Sequence, residues 1–243
     1  MATPLVSIIL PVFNGFPFLP LAIKSLLQQS YKNIEILILD DGSTDQTPDI
    51  ISYFCQTDSR IRAFSQNNQG LTVSLNRLIY LSRGKYIARQ DADDISCTFR
   101  KSSQLEFLEK FSLDFVTCRS RIASSTSPVP TFAHLLPTWI TLLFANPFIH
   151  GTLFIRKQVL LALSGYDQKF LVSQDYDLFS RLVYGGFRFK YISKPYYFLR
   201  LHPNSVSSSR RHEQLLASLS ISSSNRRNIF SFIQSCLLKT LPR

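Results

Sequence analysis

Two β-branched apolar runs constrain the fold of this chain more than any other feature. The first covers residues 5–12 and is interrupted only by Ser7, and the second covers residues 34–39. Runs of this length predict strands that are buried on both faces. Between them, leucine and isoleucine recur at helical spacing over residues 19–27. Strand, helix and strand in this order predict a βαβ unit and a parallel sheet.

The same alternation continues along the chain. We expect a helix over residues 45–54, a strand over 61–65, a helix over 71–81 and a strand over 84–90. The later segments are predicted as helices over 99–111 and 138–145, strands over 114–118 and 152–155, a helix from about Ser173, and two strand-like pieces flanking Pro195 within 187–201. Residues 119–137, rich in Ser, Thr and Pro, predict a surface loop or hairpin.

Polar clusters follow three of the predicted strands. They are Asn14-Gly15, Asp40-Asp41-Gly42 and Asp91-Ala92-Asp93. In parallel α/β sheets, ligands bind beyond the carboxyl ends of the strands. The sequence therefore predicts a ligand site to which all three clusters contribute.

The cluster after the fourth strand holds three carboxylates in four positions, Asp91, Asp93 and Asp94. Carboxylates this close repel one another unless a cation or several donors neutralise them. On an extended backbone, Asp91 and Asp93 would point the same way and Ala92 would turn into the core. This arrangement favours Mn²⁺ or Mg²⁺. The alternative is a solvated acidic turn before a helix that begins near Ser96.

The cluster after the second strand also allows two interpretations. Asp40 or Asp41 at the end of a buried strand can accept hydrogen bonds from ribose hydroxyls or a base N–H, and Gly42 permits a tight turn. The alternative is a turn in which residues 43–45 cap the next helix. Both interpretations can hold together, because a cap leaves Asp40 and Asp41 free.

Asp175 and Asp177 fall in the first turn of a predicted helix. The helix dipole favours acids there, and that preference alone would explain them. A carboxylate held at a helix start beside a cleft is equally suited to act as a general base. The lone His150 is interpreted as a structural histidine.

Composition limits the possible partners of the chain and the compartment in which it works. The chain has 243 residues, 45% of them hydrophobic, enough for one large α/β domain, and its formal net charge is +11. This charge suits nucleic acid, an anionic membrane or a phosphate-rich substrate, but no nucleic-acid motif or stacking platform accompanies it. Four scattered cysteines, the N-terminal sequence and the lack of a spanning stretch predict a cytoplasmic or peripheral protein. The apolar helical face predicted over 228–241 would pack on the domain or lie on a membrane.

An ordered set of segments carries a resemblance to a known family. The segments are VSIILPVFNG (6–15), DDGSTD (40–45), NQG (68–70), DADD (91–94), NPFIHG (146–151) and GYD (165–167). Together they resemble the family-two inverting glycosyltransferases of GT-A fold, over residues 5 to about 207. The resemblance implies one GT-A (Rossmann-like) domain over 1–207, with a mainly parallel central sheet flanked by helices. Its nucleotide-binding part would cover about 1–95 and its acceptor part about 96–207, with a basic helical tail over 208–243.

The same resemblance implies roles for individual residues. Asp40 and Asp41 would contact the base and ribose of a nucleotide-sugar donor, Asp93 with Asp91 would hold Mn²⁺ or Mg²⁺, and His202 would contact the metal or a phosphate. The complete set of implied donor contacts is Pro11, Phe13, Asn14, Asp40, Asp41, Gly70, Asn76, Arg89, Asp91 and Ala92.

Asp175 would be the base that deprotonates the acceptor hydroxyl, and Gln174 replaces the Glu that usually precedes it in the family. The implied reaction is direct displacement that transfers one sugar, with inversion, to a saccharide or lipid-linked acceptor. The Gln-x-x-Arg-Trp motif of the processive members is absent, and the only tryptophan is Trp139. The rival expectation, motivated by Gln174, is a nucleotide-sugar binding protein with weakened catalysis.

Overall fold

The computed structural model describes residues 3–122, 128–129, 136–202 and 210–240. Its first part alternates strands and helices as the apolar pattern predicts. The elements are β1 (Val6–Val12), α1 (Leu19–Leu27), β2 (Ile34–Asp40), α2 (Thr47–Thr57), β3 (Ile61–Ser65), α3 (Leu71–Leu81) and β4 (Tyr86–Arg89).

The second part is more irregular. Its elements are β5 (Ile95–Ser96), α4 (Arg100–Lys110), β6 (Phe115–Ile122), β7 (Pro128–Val129), α5 (Thr138–Thr141), a 3₁₀ turn (His150–Thr152), β8 (Phe154–Arg156), α6 (Lys157–Ala162), α7 (Gln174–Tyr184), β9 (Phe189–Leu199) and α8 (Arg211–Thr240).

The strands of the described chain form one mixed sheet in the order β3-β2-β1-β4-β8-β6-β9-β5, with β7 paired to β6. β3, β2, β1 and β4 are mutually parallel, and β6 is parallel to β9. β8 runs antiparallel to both β4 and β6, and so joins the two parallel groups. The α/β architecture with a largely parallel first half is therefore confirmed.

Two hydrophobic cores cover the two faces of this sheet. Ile8 and Ile36 point into the core that includes α1 and α2, whereas their neighbours Ile9 and Leu37 point into the core that includes α3 and α7. Alternate side chains of one strand reach opposite faces, so both cores require apolar residues from the same strand. This double burial explains why β1 and β2 are continuous apolar runs.

Ser7, the polar exception in β1, belongs to a buried network. Its hydroxyl donates to Glu35 Oε1 at 2.5 Å and accepts from the N–H of Gly84 at 2.8 Å. Glu35 also accepts from Arg62 Nη1 at 2.7 Å and from the N–H of Arg83. Burial raises the pKa of Glu35, but these hydrogen bonds outweigh burial and hold it below its usual value. The network fastens β1 to β2 and to the chain entering β4.

Pro195 lies inside one strand rather than between two. β9 runs continuously from Phe189 to Leu199, and its register against β6 shifts on both sides of Arg119, the partner of Pro195. A bulge tolerates proline because the ladder hydrogen bond is already missing there. Residues 119–122, predicted as part of a surface loop or hairpin, extend β6 and pair antiparallel with β7, as the hairpin alternative requires. The parts of that segment at 123–127 and 130–135 lie outside the described residues.

The C-terminal segment is helical, as predicted. One side of α8 packs on the body through three hydrogen bonds. Ser222 Oγ donates to Leu143 O at 2.5 Å, and Asn225 Nδ2 donates to Leu142 O at 2.7 Å. Gln214 O accepts from Ser173 Oγ. Most of the apolar face predicted over 228–241 lies outside the described side chains. Within the described chain, none of the helices combines the length and hydropathy needed to cross a membrane.

Candidate active site

The carboxyl ends of β1, β2 and β4 bring the three predicted polar clusters to one edge of the sheet. Val12 at the end of β1 pairs with Asp40 at the end of β2. On the other side of β1, the N–H of Gln90 donates to Ile9 O at 3.1 Å, which places the segment after β4 alongside. The predicted meeting of these clusters is confirmed.

Asn14 ties the loop after β1 to the loop after β2. Its backbone N–H donates to Ser43 Oγ at 2.8 Å, and its side-chain Oδ1 accepts from the N–H of Thr44 at 2.8 Å. Asn14 has φ of 50°, a left-handed conformation that asparagine tolerates better than most residues. Pro11 is buried beneath this loop, whereas Phe13 projects with about half of its surface exposed, at 52%.

The two acids after β2 are held by backbone donors. Asp41 is buried and accepts from the N–H groups of Gln69 at 2.9 Å and Gly70 at 2.8 Å, as well as from Gln66 Nε2 at 2.7 Å. Asp40 accepts from the N–H of Ser43 at 3.0 Å. These bonds shape the loop that precedes α3, where Gly70 has φ of 87°.

Asp45 lies one residue before the N-cap of α2, which is Gln46 and makes no side-chain capping bond, so the predicted cap at residues 43–45 is not formed. Asp45 instead joins the loops at this end of the helix. Asp45 Oδ1 accepts from the N–H of Thr47, the first residue of α2, at 2.9 Å, and Oδ2 accepts from Phe16 at 3.0 Å. Burial raises the pKa of Asp45, but the hydrogen bonds lower it further, below its usual value. The next loop is thereby fixed to the first without using Asp40 or Asp41.

Asp91 is clamped by two side chains. Arg89 Nη2 lies 2.6 Å from Asp91 Oδ1, and the Tyr197 hydroxyl donates to Oδ2 at 3.3 Å while accepting from the N–H of Asp91 at 3.0 Å. A Cβ on Gly151 would lie 2.3 Å from both Asp91 Oδ2 and the Tyr197 hydroxyl. Glycine at position 151 is therefore required for this close approach.

The extended backbone expected through residues 91–93 is wrong. The strand ends at Arg89, and Ala92 and Asp93 form a turn in which the N–H of Asp94 donates to Asp91 O at 3.3 Å. The turn gives each acid a different partner, but the acids still repel one another, because burial, followed by the charges of Asp91 and Asp93, raises the pKa of Asp94 to about 8. Ala92 packs against the core as predicted, but Asp91 faces Arg89 and Asp93 faces His202.

Asp93 and His202 form the part of the cluster that suits a metal ion. His202 Nε2 lies 2.9 Å from Asp93 Oδ2, and its ring packs 4.8 Å from that of Phe18. Burial, and next the charge of Asp91, raise the pKa of Asp93, so a cation here would relieve an unfavourable carboxylate. Within the described ranges no group of three His, Cys, Asp or Glu residues surrounds one point. The Asp93 carboxylate and the His202 imidazole would therefore supply two ligands to Mn²⁺ or Mg²⁺, and substrate phosphates and water would complete the shell.

A buried arginine that the sequence did not single out supports this turn from below. Arg100 of α4 donates to Arg89 O at 2.9 Å and Gly151 O at 2.5 Å, and its guanidinium lies 4.6 Å from the centre of the Tyr197 ring. Asp94, which is also buried, accepts from the N–H of Arg200 at 2.8 Å. In the sequence, Arg100 is one charged residue in an amphipathic helix and carries no distinguishing signal.

Asp175 and Asp177 have different surroundings. Asp175, in the first turn of α7, is half-buried and accepts from Asn146 Nδ2 at 2.8 Å. Burial raises its pKa, and the charge of Asp91 adds to the increase. Asp177 instead binds Arg181 on the same helix at 2.7 Å, and Arg181 also donates to Gly165 O. Asp175 thus has a neutral amide as its partner at the helix start, whereas Asp177 is engaged in an ion pair along α7.

His150 and Tyr166 both interact with the charges of Arg89 and Asp91, and Tyr166 also interacts with Asp175. His150 Nε2 and the Tyr166 hydroxyl are 2.8 Å apart. Burial, with a further contribution from Arg89, lowers the pKa of His150 to about 3, so the imidazole is neutral. Asn76 accepts from the N–H of Tyr166 and donates to its carbonyl, both at 2.8 Å. Asn76 therefore positions Tyr166 through its backbone, and the structural role of His150 stays a prediction.

Comparison with known proteins agrees with this geometry. The family model described as glycosyl transferase family 2 matches residues 7–170. The chain belongs to glycosyl transferase family 2. One relative is EpsE of Bacillus subtilis, which is assigned as a glycosyltransferase. EpsE is 35% identical over 192 residues, which cover 76% of this chain and 69% of EpsE. TuaG of the same species, assigned to teichuronic acid biosynthesis, is 35% identical over 133 residues, covering 54% of this chain and 53% of TuaG.

Some relatives are much longer than this family-two chain. An uncharacterised Rickettsia felis glycosyltransferase is 44% identical over 105 residues, which make up 43% of this chain but 17% of the relative. Shared sequence in that case is confined to a segment of a larger protein.

Solved structures confirm the GT-A fold of this family-two chain. TarS 1–349 of S. aureus in complex with UDP-GlcNAc superposes with a TM-score of 0.75 at 16% identity, covering 94% of this chain and 71% of TarS 1–349. The mannosyltransferase PcManGT of Pyrobaculum calidifontis, in complex with GDP-Man and Mn²⁺, superposes with a TM-score of 0.69 at 17% identity, covering 100% of this chain and 77% of PcManGT.

Proposed function

We propose that this family-two glycosyltransferase moves a single sugar, with inversion, from a nucleoside-diphosphate sugar to a hydroxyl of a saccharide or lipid-linked acceptor. The product would be a surface polysaccharide or glycoconjugate. The observation that carries the proposal is the meeting of the three polar clusters at the carboxyl ends of β1, β2 and β4. Asp93 pairs with His202 at this edge, and Asp175 accepts from Asn146 at the start of α7.

The donor would lie along the edge formed by β1, β2 and β4. Residues 1–95 supply this edge, and residues 96–207 supply the acceptor side. TarS in complex with UDP-GlcNAc and PcManGT in complex with GDP-Man and Mn²⁺ support a donor of this class. The side chains of Asn14, Asp40 and Asp41 already bind protein groups. They would therefore shape the donor pocket by holding its loops, in addition to contacting the donor directly. Mn²⁺ or Mg²⁺ bound at Asp93 and His202 would stabilise the departing diphosphate.

Asp175 would act as the general base. The acceptor oxygen forms a bond to the anomeric carbon on the face opposite the diphosphate, its proton passes to the Asp175 carboxylate, and the bond to the diphosphate oxygen breaks. Asn146 fixes the orientation of this carboxylate. No covalent intermediate with the protein is needed.

Gln174 motivates the second candidate, a nucleotide-sugar binding protein with weakened catalysis. It is buried beside Asp175 in the first turn of α7. Asp175→Asn should lower kcat by about 10²–10⁴-fold with donor affinity nearly unchanged, and Gln174→Glu should preserve or increase activity. A wild-type chain that binds donor but neither transfers nor hydrolyses its sugar would establish the second candidate instead.

The compartment proposed is the cytoplasm, with peripheral contact at the inner face of a membrane and no nucleic-acid partner. Cys55, Cys97 and Cys118 are free thiols, which suits a reducing compartment.

The decisive experiment measures metal-dependent donor binding. Wild-type protein should be stabilised by nucleotide sugar together with Mn²⁺, by about 2.7 kcal/mol when the ligand is at ~100-fold excess over Kd. Asp93→Ala should abolish the Mn²⁺-dependent part of this stabilisation. Asp58→Asn is the matched control, because Asp58 pairs with Arg60 just after the far end of α2. Equal Mn²⁺-dependent stabilisation of Asp93→Ala and Asp58→Asn would refute the metal assignment.

A further inference from the structure

One side of α8 packs on the body, and the side next to it carries exposed apolar residues. The packed side contains Ile221, Ser222 and Asn225, all buried. Beside it, Leu215, Leu216 and Leu219 are 58%, 56% and 59% exposed. Three exposed leucines within five residues of one helix are unusual for a surface in permanent contact with water.

An exposed aromatic ring extends this apolar surface. Residues 215, 219, 222 and 226 follow one another at helical spacing and form a single row. Ser222 in that row binds Leu143 O, and the guanidinium of Arg226 lies 5.8 Å from the centre of the Phe144 ring. Phe144 is itself 67% exposed. Leu215, Leu216, Leu219 and Phe144 are hereafter the outer patch.

The charge around the outer patch is positive. Arg211, Arg226 and Arg227 on α8 are exposed. From Arg200 to the end of the sequence the only acid is Glu213, and Arg210 neutralises it through a hydrogen bond of 3.1 Å. Apolar side chains bordered by arginines match an anionic lipid surface, whose interior accepts the leucines and whose headgroups accept the arginines.

The outer patch also adjoins the acceptor side of the site. Phe144 lies two residues before Asn146, which binds Asp175. Ser173, at the start of the helix that carries Asp175, donates to Gln214 O of α8 at 3.3 Å. The helix that carries the outer patch therefore packs directly against the segments that hold the proposed base.

We propose that the outer patch docks the protein on an anionic membrane and that the acceptor is accordingly lipid-linked. This inference rests on the proposed function, because it selects between the two acceptor classes for the same site. Docking through α8 presents the Asp175 side of the cleft to a hydroxyl close to the lipid surface.

Vesicle binding by the full chain tests the proposal. Wild-type protein should cosediment with phosphatidylglycerol vesicles and much less with phosphatidylcholine vesicles. Leu215→Ser/Leu219→Ser should lower the partition coefficient at least about tenfold. Arg226→Gln/Arg227→Gln should lower it about fivefold for each charge removed, on phosphatidylglycerol only. The control Leu21→Ser/Leu161→Ser changes two leucines of similar exposure, 49% and 55%, on α1 and α6, and should bind as wild type.

Three results would overturn the proposal. They are equal vesicle binding by the Leu215/Leu219 variant and the control, equal wild-type binding to both lipids, and a wild-type dimer in light scattering that the Leu215/Leu219 variant dissociates. The last would make the outer patch an interface between two copies of the chain. Circular dichroism and thermal unfolding check that all three double variants fold.

The donor assay separates this inference from the proposed function. Leu215→Ser/Leu219→Ser should retain Mn²⁺-dependent nucleotide binding, and Asp93→Ala should retain vesicle binding. Loss of one property without the other shows which of the two proposals has failed.

Discussion

The hydrogen bond from Asn146 to Asp175 allows the general-base assignment to be tested by pH. Asn146 Nδ2 donates to Asp175 Oδ2 at 2.8 Å and favours the ionised carboxylate. Burial is the largest effect and raises the pKa of Asp175, and the charge of Asp91 adds to this increase. Hydrogen bonds from the backbone of the first helical turn and from Asn146 lower the pKa, but the net result is an increase. The Tyr166 phenol also interacts with this carboxylate. Asn146→Ala removes one stabilising donor and leaves the rest in place.

The expected shift follows from the strength of that bond. A hydrogen bond to a charged group contributes about 1.5–3 kcal/mol, and water entering the vacated space would replace part of it. Because one pKa unit corresponds to about 1.4 kcal/mol, the pKa of Asp175 should rise by about one unit. A base must be ionised to work, so the acid limb of kcat should move to higher pH by the same amount. Well above that limb, kcat should approach the wild-type value.

The assay is kcat against pH at saturating donor and acceptor, which reports the pKa in the ternary complex. Asp177→Asn is the control, because its carboxylate binds Arg181 and should leave the limb unmoved. Asn146 Oδ1 also accepts from the N–H of Phe148 at 3.0 Å, so Asn146→Ala should lose about 1 kcal/mol of stability as well. An unmoved limb, a shift to lower pH or a loss of kcat that is equal at every pH would refute the reasoning.

Three further predictions concern residues that support the site. Tyr197→Phe removes both bonds to Asp91, so Mn²⁺-dependent nucleotide affinity should fall in calorimetry; unchanged affinity would mean that the orientation of Asp91 is unimportant. Asp41→Ala should cost about 2 kcal/mol in urea unfolding, because it removes the shared acceptor of the Gln69 and Gly70 N–H groups and of the Gln66 amide, and should weaken nucleoside-diphosphate binding even in EDTA. Glu35 has a lowered pKa, so its stabilisation is present above about pH 4.3 and is lost as pH falls through the folded-state value. Glu35→Gln should therefore be less stable than wild type at pH 7, the difference should shrink as the pH falls below about 4.3, and a constant difference would contradict this.

Local sequence pattern was sufficient for the elements whose periodicity reflects a large buried surface. α3 spans Leu71–Leu81 and β3 spans Ile61–Ser65, as the spacing of apolar residues predicted. The meeting of Asp40 and Asp91 at one edge also followed from sequence, since parallel strands place their carboxyl ends together. Such features depend on interactions repeated along the chain, and no single contact can overturn them.

Only the tertiary structure decided which of these side chains remain free for a ligand. The Tyr197 hydroxyl that holds Asp91 comes from 106 residues further along, and the Asn146 that holds Asp175 comes from 29 residues earlier. The bulge that accommodates Pro195 in β9 likewise depends on the register against β6. A hydrogen bond between distant residues leaves no period in the sequence, because it requires just one donor and one acceptor brought together by the packing of everything between them.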